Sequence, residues 1–275
     1  MKGILFGGCS FTWGQGLYFY SDLPNLPFEA QNYGFNPKEI SEPMLRYKNS
    51  IRYPRLVSNY FETFEVLKDD VGVLLGNGGS EDESFEYFDY LFNVEKKYRY
   101  SDFSYIILQL SNIWRNDFHF ELNGINYKTK IHYNNLYNQI KRDFVRGVKF
   151  DEYCEINNYS FSDIETLHKK QQLKRLKDEI IFYSGNGIEV KIVSWHSDLF
   201  MESLNDDFFK DVFIKLNYKN KITESIQELM SFSEEMVIET DLKNKKGIKC
   251  QDRHPSKECH KIIAESIIEN LKNNI

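Results

Sequence analysis

The 275-residue chain is short of cysteine, of net basic charge and of long hydrophobic runs. Four cysteines, Cys9, Cys154, Cys250 and Cys259, do not make a disulfide framework, and reduced thiols are expected. Lysine and arginine number 35 against 41 acidic residues. That mildly negative balance offers no basic stripe for nucleic acid and no polybasic segment for an anionic membrane. No apolar run is long enough to span a bilayer, and the run after Met1-Lys2 is too short for a signal peptide. The expectation is a cytoplasmic protein with neither nucleic acid nor membrane as partner. Two phosphate-binding signatures are also missing: GxxxxGK[ST] and GxGxxG. The GxSxG elbow fails too, because Thr12 stands where its second glycine belongs.

What is present begins at residues 2–17, KGILFGGCSFTWGQGL. Ile4, Leu5 and Phe6 read as a buried strand, and Gly7 and Gly8 let the chain turn sharply after it. A strand that runs into such a turn puts the turn at the carboxyl end of a sheet, where open α/β sheets bind ligands. Ser10 then stands beside backbone N–H groups. A plain strand-to-helix turn is the simpler reading of this stretch taken alone.

Tyr18 to Asn49 holds Pro24, Pro27, Pro37 and Pro43 and reads as a long loop over the sheet. Tyr53 to Phe61 reads as a helix with Pro54 in its first turn. A second strand is expected within Phe64 to Leu75, placed at Val71 to Leu75, before a second glycine turn, NGGS at 77–80. Phe85, Phe88, Tyr90, Leu91 and Phe92 give Glu81 to Val94 a helical spacing. Tyr105 to Leu110 is a third strand, apolar almost throughout, as parallel strands buried on both faces are. Asn123-Gly124 between alternating residues predicts a hairpin over Asp117 to Ile131. Tyr133 to Ile164 reads as mixed and partly helical, and residues 113–164 as an insertion in a single domain of 275 residues. A long helix over Glu165 to Ser184 ends at Gly185 and Gly187, and Ile188 to Trp195 is a fourth strand. Glu235 to Thr240 is taken as a fifth strand, and Ser256 to Leu271 as the closing helix. This order predicts a doubly wound parallel sheet.

Four features then fall at strand ends or in the last loop: Ser10, Gly79, Asn112 and His254. Acyl transfer needs this set. A hydroxyl is a poor nucleophile until an imidazole takes its proton. A tetrahedral intermediate needs donors aimed at its oxyanion. The Ser10 and Gly79 backbone N–H groups and the Asn112 amide would supply three. A carboxylate beside His254 would hold its tautomer, and Asp252 is the nearest in sequence.

These blocks, FGGCSFTWGQGL, NGGS, LSN and DRHPSKECHKIIAESI, resemble in order those of the SGNH (GDSL-type) hydrolase superfamily. The resemblance implies a three-layer α/β/α sandwich around a five-stranded parallel, flavodoxin-like sheet. It also implies a serine esterase or acylhydrolase that needs no cofactor. Ser10 would be the nucleophile, His254 the base, Asp252 its orienting acid, and Ser10, Gly79 and Asn112 the oxyanion hole. Cys9 replaces the Asp of the GDS triplet. Leu110 and Ile113 replace the Gly and Asp of the third block, which leaves Asn116 as the alternative to Asn112. Gln251 occupies the usual place of the acid. Trp13, Trp114, Arg115 and His196 lie next to these blocks or at a strand end and are candidates to bind a sugar face or an anionic group.

The expected reaction is hydrolysis of a carboxylic ester through an acyl-enzyme, foremost O-deacetylation of a carbohydrate or glycan precursor. The same residues serve O-acyl transfer to a sugar hydroxyl, and a catalytically silent binding protein would keep the same fold. Cys250, His254, Cys259 and His260 pose a metal alternative. Cys259 and His260 point about 100° apart on a helix, so no metal is expected.

Overall fold

The computed structural model describes residues 2–9, 12, 14, 17–21, 42–67, 81–111, 116–134, 139–142, 147–246 and 253–272. Strand β1 (Gly3–Gly7) is buried throughout. A single 3-10 turn, Leu17–Tyr20, precedes helices α1 (Glu42–Ile51) and α2 (Tyr53–Tyr60). Strand β2 (Glu65–Leu67) pairs parallel with β1, with Ile4 opposite Glu65. Helix α3 (Glu81–Asp89) runs into a wider π turn, Tyr90–Val94. Strand β3 (Phe103–Leu110) lies parallel on the other side of β1.

Strands β4 (Asp117–Leu122), β5 (Ile125–Asn134) and β6 (Gln139–Arg142) make a separate antiparallel sheet. Asn123 and Gly124 both take positive φ, +54° and +76°, as the predicted two-residue turn requires. Helix α4 (Gly147–Asn157) packs Phe150 against Phe118 and Phe120 of β4. Helix α5 (Phe161–Gly185) opens with a capping box, Ser160 and Asp163. The Gln171 side-chain amide accepts from His119 N–H (3.0 Å) and donates to its carbonyl (2.6 Å). The outer edge of β4 is thereby partly occupied by a helix residue.

Strand β7 (Glu189–Ser194) completes the main sheet beside β3. Its order is β2-β1-β3-β7, all parallel. Short helix α6 (Asp198–Ser203), hairpin strands β8 (Leu216–Tyr218) and β9 (Lys221–Thr223), and helices α7 (Ile226–Ser231), α8 (Ile238–Lys246) and α9 (Lys257–Lys272) follow. Alternate residues of the sheet face two cores. Leu5, Val66, Ile106 and Leu108 pack with Phe85 and Phe88 of α3 and Leu176 and Ile180 of α5. Ile4, Phe6, Leu67 and Ile107 pack with Tyr53 and Val57 of α2 and Ile263 and Ile267 of α9. Helices therefore cover both faces, and each such buried side chain is worth roughly 1.5–3 kcal/mol.

Three expectations change. Glu235 to Thr240 is not a strand: Glu234–Met236 is a 3-10 turn and α8 starts at Ile238. Ile238 and Leu242, four apart, enter one core with Tyr18, and Glu239 and Asp241 suit the positive end of a helix. Only Val237 stays extended, in an isolated antiparallel bridge to Pro255. The loop expected over Tyr18 to Asn49 contains helical residues at both ends, and Pro43 sits in the first turn of α1, where its missing N–H costs nothing. The strand that pairs with β1 is Glu65–Leu67, and Val71 to Leu75 lies outside the described residues.

Candidate active site

The carboxyl ends of β1, β3 and β7 lie side by side, with Gly7 opposite Leu108 and Leu110 opposite Ser194. Gly8 leaves β1 with φ +152°, and its N–H donates to the Ser84 hydroxyl of α3 (3.1 Å). A Cβ on Gly8 would fall 2.2 Å from Thr12 Oγ1 and 2.9 Å from Gln109 Cβ. Gly8→Ala is therefore expected to cost roughly 1–3 kcal/mol, read as a lower urea midpoint; an unchanged midpoint would mean that the turn relaxes freely.

Gln109 is the polar side chain of β3 that faces the described residues of the turn. Its Oε1 accepts from Cys9 N–H (3.2 Å), from the Cys9 thiol (3.0 Å) and from the Thr12 hydroxyl (3.4 Å). Its Nε2 donates to the Leu110 carbonyl (2.5 Å), which also accepts from Trp195 N–H (2.9 Å). The amide therefore has one orientation: turned over, it would aim an N–H at the Cys9 N–H and its oxygen at the Leu110 carbonyl. Thr12 Oγ1 also shares a 2.8 Å hydrogen bond with the Tyr53 hydroxyl. With Thr12 donating to Gln109, Tyr53 donates to Thr12.

Tyr53 opens α2, and its backbone N–H donates to His260 Nδ1 of α9 (3.2 Å). The two rings stack at 5.6 Å and 22°. No side chain of Arg52, which precedes α2, caps that helix, so His260 satisfies one of its orphan donors. Burial, then the charges of His254 and Arg52, hold the His260 imidazole down at about 3. It is neutral, with its proton on Nε2. Burial also raises the Tyr53 phenol, which stays a donor. A line of buried polar groups thus runs from the Gly8–Cys9 turn to the start of α9.

His254 is half-buried just before that helix. Its carbonyl accepts from Ile238 N–H (3.1 Å), and Ser256 N–H donates to the Met236 carbonyl (2.8 Å). The Ser256 hydroxyl accepts from Cys259 N–H (3.2 Å) and caps α9. Residues 254–256 are held on the same face of the sheet as Tyr53 and His260. Cys259 is buried in the α2–α9 core, where burial pushes its thiol up. Among the described residues no group of three or more His, Cys, Asp and Glu is placed to hold a metal, and no helix is long and apolar enough to cross a membrane.

Ser10, Trp13, Gly79, Asn112, Trp114, Arg115, Cys250 and Asp252 lie outside the described residues. His196 is half-buried at the end of β7, edge-on to Trp195 at 5.8 Å. Trp195 leans on the α2–α9 core. Asn116, the alternative to Asn112, is buried, and neither of its amide atoms has a hydrogen-bond partner among the described residues. It lines a cavity of about 10 Å³ with Phe85, Leu110, Gln172 and Leu176. That is room for about one water, on the α3–α5 side of the sheet, the face opposite Tyr53 and His260.

Sequence reasoning missed Gln109, Tyr53 and His260. Gln109 was detectable as the lone polar side chain inside the apolar run YIILQL. No protein-family model, curated protein or solved structure matches the chain.

Proposed function

We propose that the protein is a serine ester hydrolase of the SGNH type, acting foremost on the O-acetyl group of a carbohydrate. One observation carries the reading. Cys9 and Thr12, on either side of Ser10 in sequence, both donate to Gln109, and Thr12 is tied through Tyr53 to His260, six residues beyond His254. The two sequence blocks that would carry nucleophile and base are thus linked at carboxyl strand ends, where α/β sheets bind ligands.

The finer fold reading belongs with this proposal. Phe213 and Ser225 bridge parallel to Ile192 and Ser194, beyond β7. These two bridges support a fifth parallel position beside β7, as a flavodoxin-like order in a three-layer α/β/α sandwich would require.

In the reaction, Ser10 Oγ attacks the ester carbonyl while His254 takes the hydroxyl proton. Backbone N–H groups of Ser10 and Gly79 and the Asn112 amide hold the oxyanion. The intermediate collapses, the C–O bond to the alcohol breaks, and His254 returns the proton to that oxygen. Water, deprotonated by His254, then releases acetate and restores Ser10. Asp252 orients the imidazole.

A fluorophosphonate probe tests the assignment, with p-nitrophenyl acetate turnover beside it. Wild type is expected to label and turn over, Ser10→Ala to lose both, and His254→Ala to fall by roughly 10²–10⁴-fold. A folded wild type that does not label, or a Ser10→Ala protein that labels equally, overturns the reading.

A further inference from the structure

We infer that Gln109 is a positioning residue for the nucleophile turn: its amide oxygen fixes the Gly8–Cys9 peptide and Thr12, and so sets where Ser10 starts. The inference rests on Ser10 being the nucleophile. Its physical basis does not. Gln109 is fully buried, yet it contributes no apolar contact that a leucine or methionine would not. What it adds is an acceptor aimed at three donors of one turn, with its own N–H groups turned the other way, onto Leu110.

Among the described residues the turn is held from three sides. Gly8 N–H is held from the α3 side by Ser84, and Cys9 N–H from the β3 side by Gln109. The two bonds grip consecutive peptides from opposite directions. Thr12 closes the turn from the α2 side through Tyr53. Gln109 is where the β3 and α2 supports meet, because Thr12 reaches both Gln109 and Tyr53. The cysteine is part of the same arrangement. A thiol at position 9 donates to Gln109 Oε1 (3.0 Å), whereas a carboxylate there would face that oxygen with like partial charge.

Positioning and packing predict opposite orders for two variants. Gln109→Met fills the space with an apolar side chain of similar length and has no acceptor for a peptide N–H. Gln109→Glu keeps an acceptor oxygen and is a poor core residue. If Gln109 positions the turn, Gln109→Met should label with fluorophosphonate at least 10-fold more slowly than wild type. Gln109→Glu should recover a substantial part of that rate. If Gln109 only fills space, Gln109→Met should label as wild type does, and Gln109→Glu should be the damaged variant.

Site-resolved hydrogen exchange of the Cys9 amide is measured on the same proteins, alongside the amides of β7 as an internal reference. The Cys9 amide should exchange at least 10-fold faster in Gln109→Met, with β7 unchanged. Wild-type-like Cys9 protection in Gln109→Met overturns the inference, whatever the labelling. A wild type that does not label, with Cys9 deprotected in Gln109→Met, refutes the esterase reading and keeps Gln109 as the anchor of the turn.

Discussion

Replacing Glu65 by glutamine is expected to destabilise the protein by about 3–5 kcal/mol, the cost of breaking a buried ion pair from one side. The Glu65 side chain is 3% exposed on the short strand β2, and the Arg52 side chain that faces it is 1% exposed. Arg55 Nε lies 2.6 Å from Glu65 Oε1, and Arg52 Nη2 lies 4.0 Å away. Two guanidiniums thus share one carboxylate between β2 and α2. A neutral amide leaves both cations facing a weaker acceptor, and Arg52 has little access to water. Arg55 is 44% exposed, so Arg55→Ala, which lets water reach the carboxylate and leaves Arg52 beside it, should cost less than Glu65→Gln.

The loss in Glu65→Gln should persist in 1 M salt, because buried pairs are little screened. Urea unfolding at pH 7 decides the matter. A change below about 1 kcal/mol would mean that Arg52 is fully served by other partners. The effect extends beyond stability. Arg52 directly precedes Tyr53, so the ion pair seats the amino end of α2, from which Tyr53 reaches Thr12.

The parts of the fold that were legible are those written in local chemistry. The apolar run of β3, the Asn123-Gly124 turn and the glycine end of α5 each follow from a few adjacent residues. The misreadings share a cause. Pro43 looks like a breaker until the helix it starts is known, and Met236-Val237-Ile238 looks like a strand until Leu242 makes Ile238 helical.

The candidate site could be read from the sequence only as separate blocks; the contacts around Cys9 and Thr12 could not. The Cys9–Gln109 bond spans 100 residues, and the Tyr53–His260 bond spans 207. No spacing rule reaches across such separations. His260 was met beside Cys259 as a possible metal ligand. Its structural role is set by the amino end of α2, which only the tertiary fold brings to it.

Acid should unfold the protein earlier than its carboxylates alone would, and His260 is the reason. Its imidazole is held down at about 3 in the folded state against an ordinary 6.5. Burial is the main cause, and the charges of His254 and Arg52 add to it. Between these values the unfolded chain binds a proton that the folded one does not, so stability falls as pH falls. The contribution is complete above about pH 6.5 and is lost progressively towards pH 3, at about 1.4 kcal/mol per pH unit.

From pH 6.5 to 4.5 the loss from this one group is about 2–3 kcal/mol. Protonation of Nδ1 would also replace an acceptor with a donor opposite Tyr53 N–H, at a site where Nε2–H has no partner. The depressed carboxylates Asp163 and Asp206 act in the opposite part of the range, below their ordinary 3.8.

His260→Gln isolates the term, since a glutamine oxygen can accept from Tyr53 N–H and does not titrate. Unfolding free energies from urea curves at half-unit steps from pH 7.5 to 4.5 should fall steeply for wild type, and for His260→Gln with a slope smaller by up to one bound proton, about 1.4 kcal/mol per pH unit. The variant starts roughly 1 kcal/mol lower at pH 7, so the two curves should cross at about pH 5.5–6, and by pH 4.5 the variant should be the more stable by roughly 1–2 kcal/mol. Parallel curves would mean that His260 is not the group whose neutrality the fold requires. His260 holds Tyr53, and Tyr53 holds Thr12, so the group whose neutrality the fold requires also supports the turn after β1.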